Sequence, residues 1–385
     1  MNKKEISELR RRFSPDKNSI GHIYGCYVNT KKEIIAYLDE SLAAMPPEEA
    51  EKYLGFLKKA LSGTQGKNLI DIVFSTQQVA DSPEHKLLMS LRESELKDPA
   101  VRQAFYDKVI ESLDMDDSNY LVLLAHDAYD VPFKAKDGLT FDQVSDTMFH
   151  YVVCCVCPVK EGKAALGFYS AQNEFHSYGT NQVVGQPELG FVFPAFDDRA
   201  ANIYNALFYT RKPDQIHQEF IDGVFRVEPP MSAAEQRETF ETILSESLGD
   251  ACTLQLARNL YEWVRDKVEE HKESREEEPL AVTAADLTAV LLDSQVPEAQ
   301  VQAFAARFAE SFGASAAMNP ANLINTGRFE LEAGDGAAKV SLAPEQGGRI
   351  ETTEIDGRKY LLVPAEGLYA NGLPVQAYPA LPCIG

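Results

Sequence analysis

The chain has 385 residues, of which 44% are hydrophobic and 25% charged, with a formal net charge of −22. That is enough apolar material for sizeable cores, and more than one core is usual at this length. Such acidity sets it at a disadvantage for gripping nucleic-acid phosphates and for anionic lipid surfaces, and suits protein partners better.

Ile6, Leu9 and Phe13 recur at helical spacing, so residues 1–13 read as a helix that Ser14-Pro15 ends. Lys3, Lys4, Arg10, Arg11, Arg12 and Lys17 make this start locally basic. The plain reading is a solvated helix face; the sharper one is a basic arm on phosphate. No apolar leader follows, and no apolar run approaches the roughly 20 residues that span a bilayer. A cytoplasmic protein is expected, with its six cysteines reduced.

Residues 20–28 read as a strand, with Gly21 and Gly25 marking close backbone approach. Residues 31–44 and 46–61 read as helices, the second opening on Pro46-Pro47-Glu48-Glu49. NLIDIVF (68–74) reads as a strand, and two helices follow at 83–94 and 98–113. NYLVLLAHDAYD (119–130) opens on a continuous apolar run, the mark of a strand buried on both faces, and FHYVVCCVCPV (149–159) has the same character. Residues 166–170, 188–196 and 201–209 supply further strands. Strands interspersed with helices predict a central mixed sheet flanked by helices.

From residue 229 to about 278 the chain reads as helical and acidic. Ser232 and Glu235 have capping-box spacing, and Phe240, Ile243, Leu244 and Leu248 form one apolar stripe. Leu256, Leu260, Trp263, Val264 and Val268 form another, and KESREEEP (272–279) reads as a linker. Segments 283–293 and 297–312 read as a helical hairpin. Four short runs over 328–364 read as an antiparallel meander, with Asp335-Gly336 and Asp356-Gly357 as turn signals. The predicted organisation is α+β: a mixed-sheet domain at 1–228, an acidic helical segment at 229–278, and a helical-hairpin plus β module with an irregular tail at 279–385.

Two acidic motifs at expected strand ends are the candidate chemistry. His126, Asp127 and Asp130 follow LVLLA; Asp197, Asp198 and Arg199 follow LGFVFPAF. Polar groups at such ends often meet ligands. Together Asp127, Asp130, Asp197 and Asp198 would hold a divalent metal, His126 would share acid–base work, and Arg199 would receive anionic charge. The bland reading is caps, turns and local ion pairs. His150 with Cys154, Cys155 and Cys157 would split between two strand faces, which argues for packing thiols over a metal site. Gly63-Thr64-Gln65-Gly66-Lys67 lacks the full phosphate-loop spacing.

The blocks MNKKEISELRRRFSP, IYGCYVN, KALSGTQGKNL, LLAHDAYDVP with its following KDG, VCPVK, GFVFPAFDDR and IDGRKYLLV occur together here. This set resembles a bacterial domain-of-unknown-function family, number 4317, from residue 1 to about 364. The resemblance implies a bacterial cytoplasmic protein and carries over no functional residue. Function therefore reads first as a non-catalytic regulatory or protein-interaction protein. The alternatives are a metal-dependent hydrolase of phosphate esters and a nucleic-acid-associated protein using the basic N-terminal helix.

Overall fold

Alternating side chains along long apolar strands force a sheet that is covered on both faces. In the computed structural model the described residues are 1–115, 118–134, 140–141, 148–162, 165–169, 173–178, 182–228, 230–274, 278–333, 338–342, 351–362, 369–370 and 373–374. They divide into two compact units: residues 1–240 with 274–281, and residues 241–273 with 282–385.

In the first unit, α1 (Lys3–Arg12) precedes β1 (His22–Val28) and β2 (Ile34–Ser41), then α2 (Pro47–Lys59), β3 (Leu69–Val73), α3 (Thr76–Asp81), α4 (Pro83–Glu93) and α5 (Pro99–Ser112). Next come β4 (Asn119–Asp130), β5 (Phe133–Lys134), β6 (Thr140–Phe141), β7 (Met148–Glu161), β8 (Ala165–Tyr169), β9 (Glu174–Tyr178) and β10 (Gln182–Val184). They are followed by β11 (Leu189–Phe193), β12 (Ala195–Asp197), β13 (Ala200–Asn202), β14 (Asn205–Thr210) and α6 (Gln218–Phe225).

The main sheet runs β2-β1-β4-β7-β11-β14-β3, with β10 beside the far end of β7. Each of its ladders is antiparallel. The α+β class holds, and the expected mixed sheet is corrected to an antiparallel one. The helix expected over 31–44 is also corrected: Ile34–Ser41 is an edge strand paired with β1, followed by one 3-10 turn at Leu42–Ala44. Its Lys- and Glu-rich lead-in favours helix, but the ladder to β1 decides. Helix α6 went unread in the sequence. Of the two glycines flagged there, Gly25 is a close approach: a Cβ on it would lie 2.3 Å from the carbonyl oxygen of Val122 on β4. Gly21 has open space.

The two faces build separate cores. One holds Val122, Leu124, Val152, Cys154, Phe191 and Phe208 under α4, α5 and α6; the other holds Leu123, Ala125, Tyr151, Val153, Cys155 and Cys157 under α1 and α2. Cys154 thus faces away from Cys155 and Cys157, as alternation requires. Burial pushes the thiols of Cys154 and Cys155 well up and that of Cys157 to about 12, so they pack as small hydrophobes.

The chain continues through α7 (Ala233–Leu248), whose start carries the expected capping box: the Glu235 amide donates to Ser232 Oγ (3.1 Å) and the Ser232 amide to Glu235 Oε2 (2.7 Å). In the second unit, α8 (Leu254–Ser274) buries Leu256, Leu260, Tyr261 and Val264. After β15 (Val282–Thr283), α9 (Ala284–Asp293) and α10 (Glu298–Phe312) form the expected helical hairpin, with Leu287, Leu291, Phe304 and Phe308 buried. Next come β16 (Ala317–Met318), α11 (Pro320–Leu323), β17 (Phe329–Ala333), β18 (Ala338–Leu342), β19 (Glu351–Ile355), β20 (Arg358–Leu362), β21 (Tyr369–Ala370) and β22 (Leu373–Pro374). The expected meander resolves into hairpins β17–β18 and β19–β20. Asp356 and Gly357 both take positive φ in the turn of the second, as a two-residue loop demands. Asp335-Gly336 and Cys383 lie outside the described residues.

Candidate functional site

His126, Asp127 and Asp130 lie within β4, paired to β7, rather than beyond its end, because the ladder runs on to Asp130↔Met148. Side chains of a strand alternate. His126 and Asp130 therefore share one face, and Asp127 and Tyr129 share the other. The motif that reads as one cluster in sequence is split by the sheet.

Asp127 is fully buried. Its carboxylate accepts from Arg12 Nε (2.7 Å) and Nη2 (3.0 Å), from the Ser19 amide (2.8 Å) and from the Tyr151 hydroxyl (2.8 Å). Four donors occupy the lone-pair sites a carboxylate offers. Burial and then Asp127 hold the Tyr151 phenol well above its ordinary pKa, so it stays a donor. Burial works against the Arg12 charge, but Asp127 more than offsets it and the guanidinium pKa rises.

The network extends outward. The Arg12 guanidinium lies 4.6 Å from the ring centre of Tyr129, whose hydroxyl donates to Glu8 Oε1 (2.5 Å). Glu8 also accepts from Arg199 Nη1 at 3.2 and 3.0 Å, while Arg199 Nη2 donates to the Pro132 carbonyl (2.9 Å). Arg199 and Asp198 are the two loop residues of the β12–β13 hairpin, both at positive φ. Asp197 accepts from Asn202 Nδ2 (3.1 Å) beside that turn.

The fold thus brings Asp127 and Arg199 to one helix, α1, where Arg12 and Glu8 hold them. Asp130 and Asp198 are exposed, and His126 lies on the opposite face. There its Nε2 sits 3.3 Å from His150 Nδ1 with the two rings stacked. Burial lowers the His126 pKa to about 4. Among the described residues, no group of three His, Cys, Asp or Glu side chains is placed to hold a metal ion. The residues that organise this region, Arg12, Glu8, Ser19 and Tyr151, were not singled out as a site in the sequence. Arg12 belonged there to a basic run read as solvated, and the one available signal was that Asp127 alternates with the apolar residues of core-facing positions.

A second feature lies at the opposite edge of the sheet. Among the described strands it ends on β3, which pairs with β14 and has a lone bridge from Leu69 to Gln65 at its start. The Phe74 amide donates to Tyr204 and the Thr210 amide to the Asn68 carbonyl, which fixes the ladder's parity. Ile70 and Ile72 bond toward β14, so Asp71 and Val73 turn their N–H and C=O groups outward. Beside them run two hollows of about 430 and 210 Å³ that share Asp71 and Pro230. Val73 is 62% exposed, Tyr204 43% and Met231 40%.

These features define an α+β protein with a two-faced antiparallel sheet, a buried ionic clamp and an open sheet edge. The chain belongs to the family described as Domain of unknown function (DUF4317), whose profile matches residues 1–373. No curated protein matches it. Among the described residues, no helix is long and apolar enough to cross a membrane.

Proposed function

We propose that this protein works by binding another protein, as a regulatory or interaction component of the bacterial cytoplasm. The observation that carries the reading is the open β3 edge, where outward main-chain groups lie beside two hollows, one lined by exposed Val73 and the other by exposed Met231. Exposed strand edges invite pairing with another chain. The buried clamp points the same way. Asp127 has its lone pairs occupied and Arg199 is held by Glu8, so both act as fasteners for α1.

The test is a photo-crosslinking amino acid placed at Val73 in living cells, with the same group at exposed Glu51 on α2 as control. An adduct of discrete mass at Val73 alone is expected. No adduct above the control would overturn the reading. So would Mn²⁺-dependent turnover of p-nitrophenyl phosphate that Asp130→Ala and Asp198→Ala abolish.

A further inference from the structure

The β3 edge also specifies what it would bind, an inference that rests on the interaction reading above. Leu69 is closed off at its start, its amide donating to the Thr64 carbonyl (3.1 Å) and its carbonyl accepting from the Gly66 amide (2.8 Å). Pairing is therefore left to Asp71 and Val73, residues i and i+2 of the strand. Among the described residues no main-chain partner meets their outward groups. Two residues offering N–H and C=O on the same side are the unit that an added strand engages.

Asp71 and Val73 also share a face, so an added strand sets one side chain opposite a carboxylate and the next but one opposite an exposed valine. Cross-strand pairs of opposite charge and of apolar groups stabilise a ladder, and like charges destabilise it. The larger hollow is lined by Asp71 and Glu228 with Ile72, Val73, Val227 and Pro230, and no lysine or arginine lines it among the described residues. Asp71 has the Met1 amino group 3.8 Å away. Glu228 forms no ion pair among the described residues and carries the charge preference. Lys67 sits only on the smaller hollow. A second copy of a chain with net charge −22 is a poor match for this edge.

We infer that the β3 edge takes an extended, basic segment of a partner protein as an added strand, with Lys or Arg facing Asp71 and Glu228 and an apolar side chain over Val73. The probe is a fluorescein-labelled octapeptide alternating lysine and valine with threonine between them, followed by anisotropy on the full-length protein. Replacing its lysines with glutamate should weaken binding at least tenfold. Methylating alternate amides should abolish binding in one parity and spare it in the other, because a strand pairs through one edge only.

Val73→Pro removes an outward N–H at a position where an edge strand tolerates proline. It should lose the peptide at least tenfold while keeping its circular dichroism and denaturation midpoint. If that variant does not fold, Glu228→Lys replaces it and should turn the preference toward the glutamate peptide. Equal binding of both methylated parities, or an unchanged preference in Glu228→Lys, overturns the inference. So does self-association in sedimentation that Val73→Pro abolishes, which would assign the edge to a second copy. A crosslink at Val73 in cells alongside peptide failure would sink only the ligand class and leave the interaction reading standing.

Discussion

The two faces of the main sheet solve the same problem with different chemistry. Under α4, α5 and α6 the core is aromatic: Phe191, Phe208, Phe220 and Phe225 lie with ring centres 5.1–6.3 Å apart. Its buried polar side chain His85 meets the Ile203 carbonyl through Nε2 (2.8 Å) and leaves Nδ1 without a hydrogen-bond partner among the described residues. Under α1 and α2 the core has a carboxylate at its rim, and Asp127 ties Arg12, Ser19 and Tyr151 together across 115 residues of sequence. The first face is held by area removed from water, which is non-directional. The second adds a directional lock, which costs desolvation and holds only while every partner is present. One step along β4, from His126 to Asp127, separates the two.

The sharpest way to break this contrast is Asp127→Ala. It leaves the half-buried Arg12 charge without its carboxylate and should cost about 3 kcal/mol, read as a fall in the urea midpoint. A loss below about 1 kcal/mol would mean that water reaches Arg12 and the lock is not closed. On the other face, Ile221→Ala removes a buried aliphatic side chain of α6 and should cost about 2–5 kcal/mol. The faces differ in salt response: the deficit of Asp127→Ala should change between low and high ionic strength more than that of Ile221→Ala, because only the former exposes an unbalanced charge.

The third prediction concerns pH. His126 has a folded pKa of about 4, below the roughly 6.5 of an unfolded histidine. As pH falls through that window the unfolded chain takes up a proton that the folded chain does not, so stability is lost from about pH 6.5 toward 4 and is constant above. Carboxylates titrate in the lower part of the same range. The test is therefore the difference in melting temperature between the wild type and His126→Phe, which should narrow as pH falls. A pH-independent difference would show that the imidazole is already solvated. Smallest is Ser232→Ala, which removes the hydroxyl that accepts the Glu235 amide at the start of α7 and should cost about 1 kcal/mol.

Local chemistry was legible in the sequence where the interaction is local. The capping box Ser232–Glu235, the Asp356-Gly357 turn and the helical stripes of α8, α9 and α10 all depend on residues three or four apart or adjacent. Strand β2 was not, because a solvent-exposed edge strand carries little alternation and its residues pack on one side only. The candidate site was legible in part. Asp127 and Arg199 stood out, but their partners Arg12 and Glu8 belong to a helix far upstream, and periodicity gives a residue's face without naming what lies across it.

The clamp on α1 has a consequence for how the protein is made. Glu8 is 191 residues ahead of Arg199, so at ribosomal speeds this helix leaves the exit tunnel roughly 10–40 s before its last anchor does. Its exposed Ile6, Leu9 and Phe13 must wait through that interval for β4, β7 and the β12–β13 turn to be synthesised. Translated ahead of every strand of the sheet it seals, this helix is therefore among the last elements to dock on it.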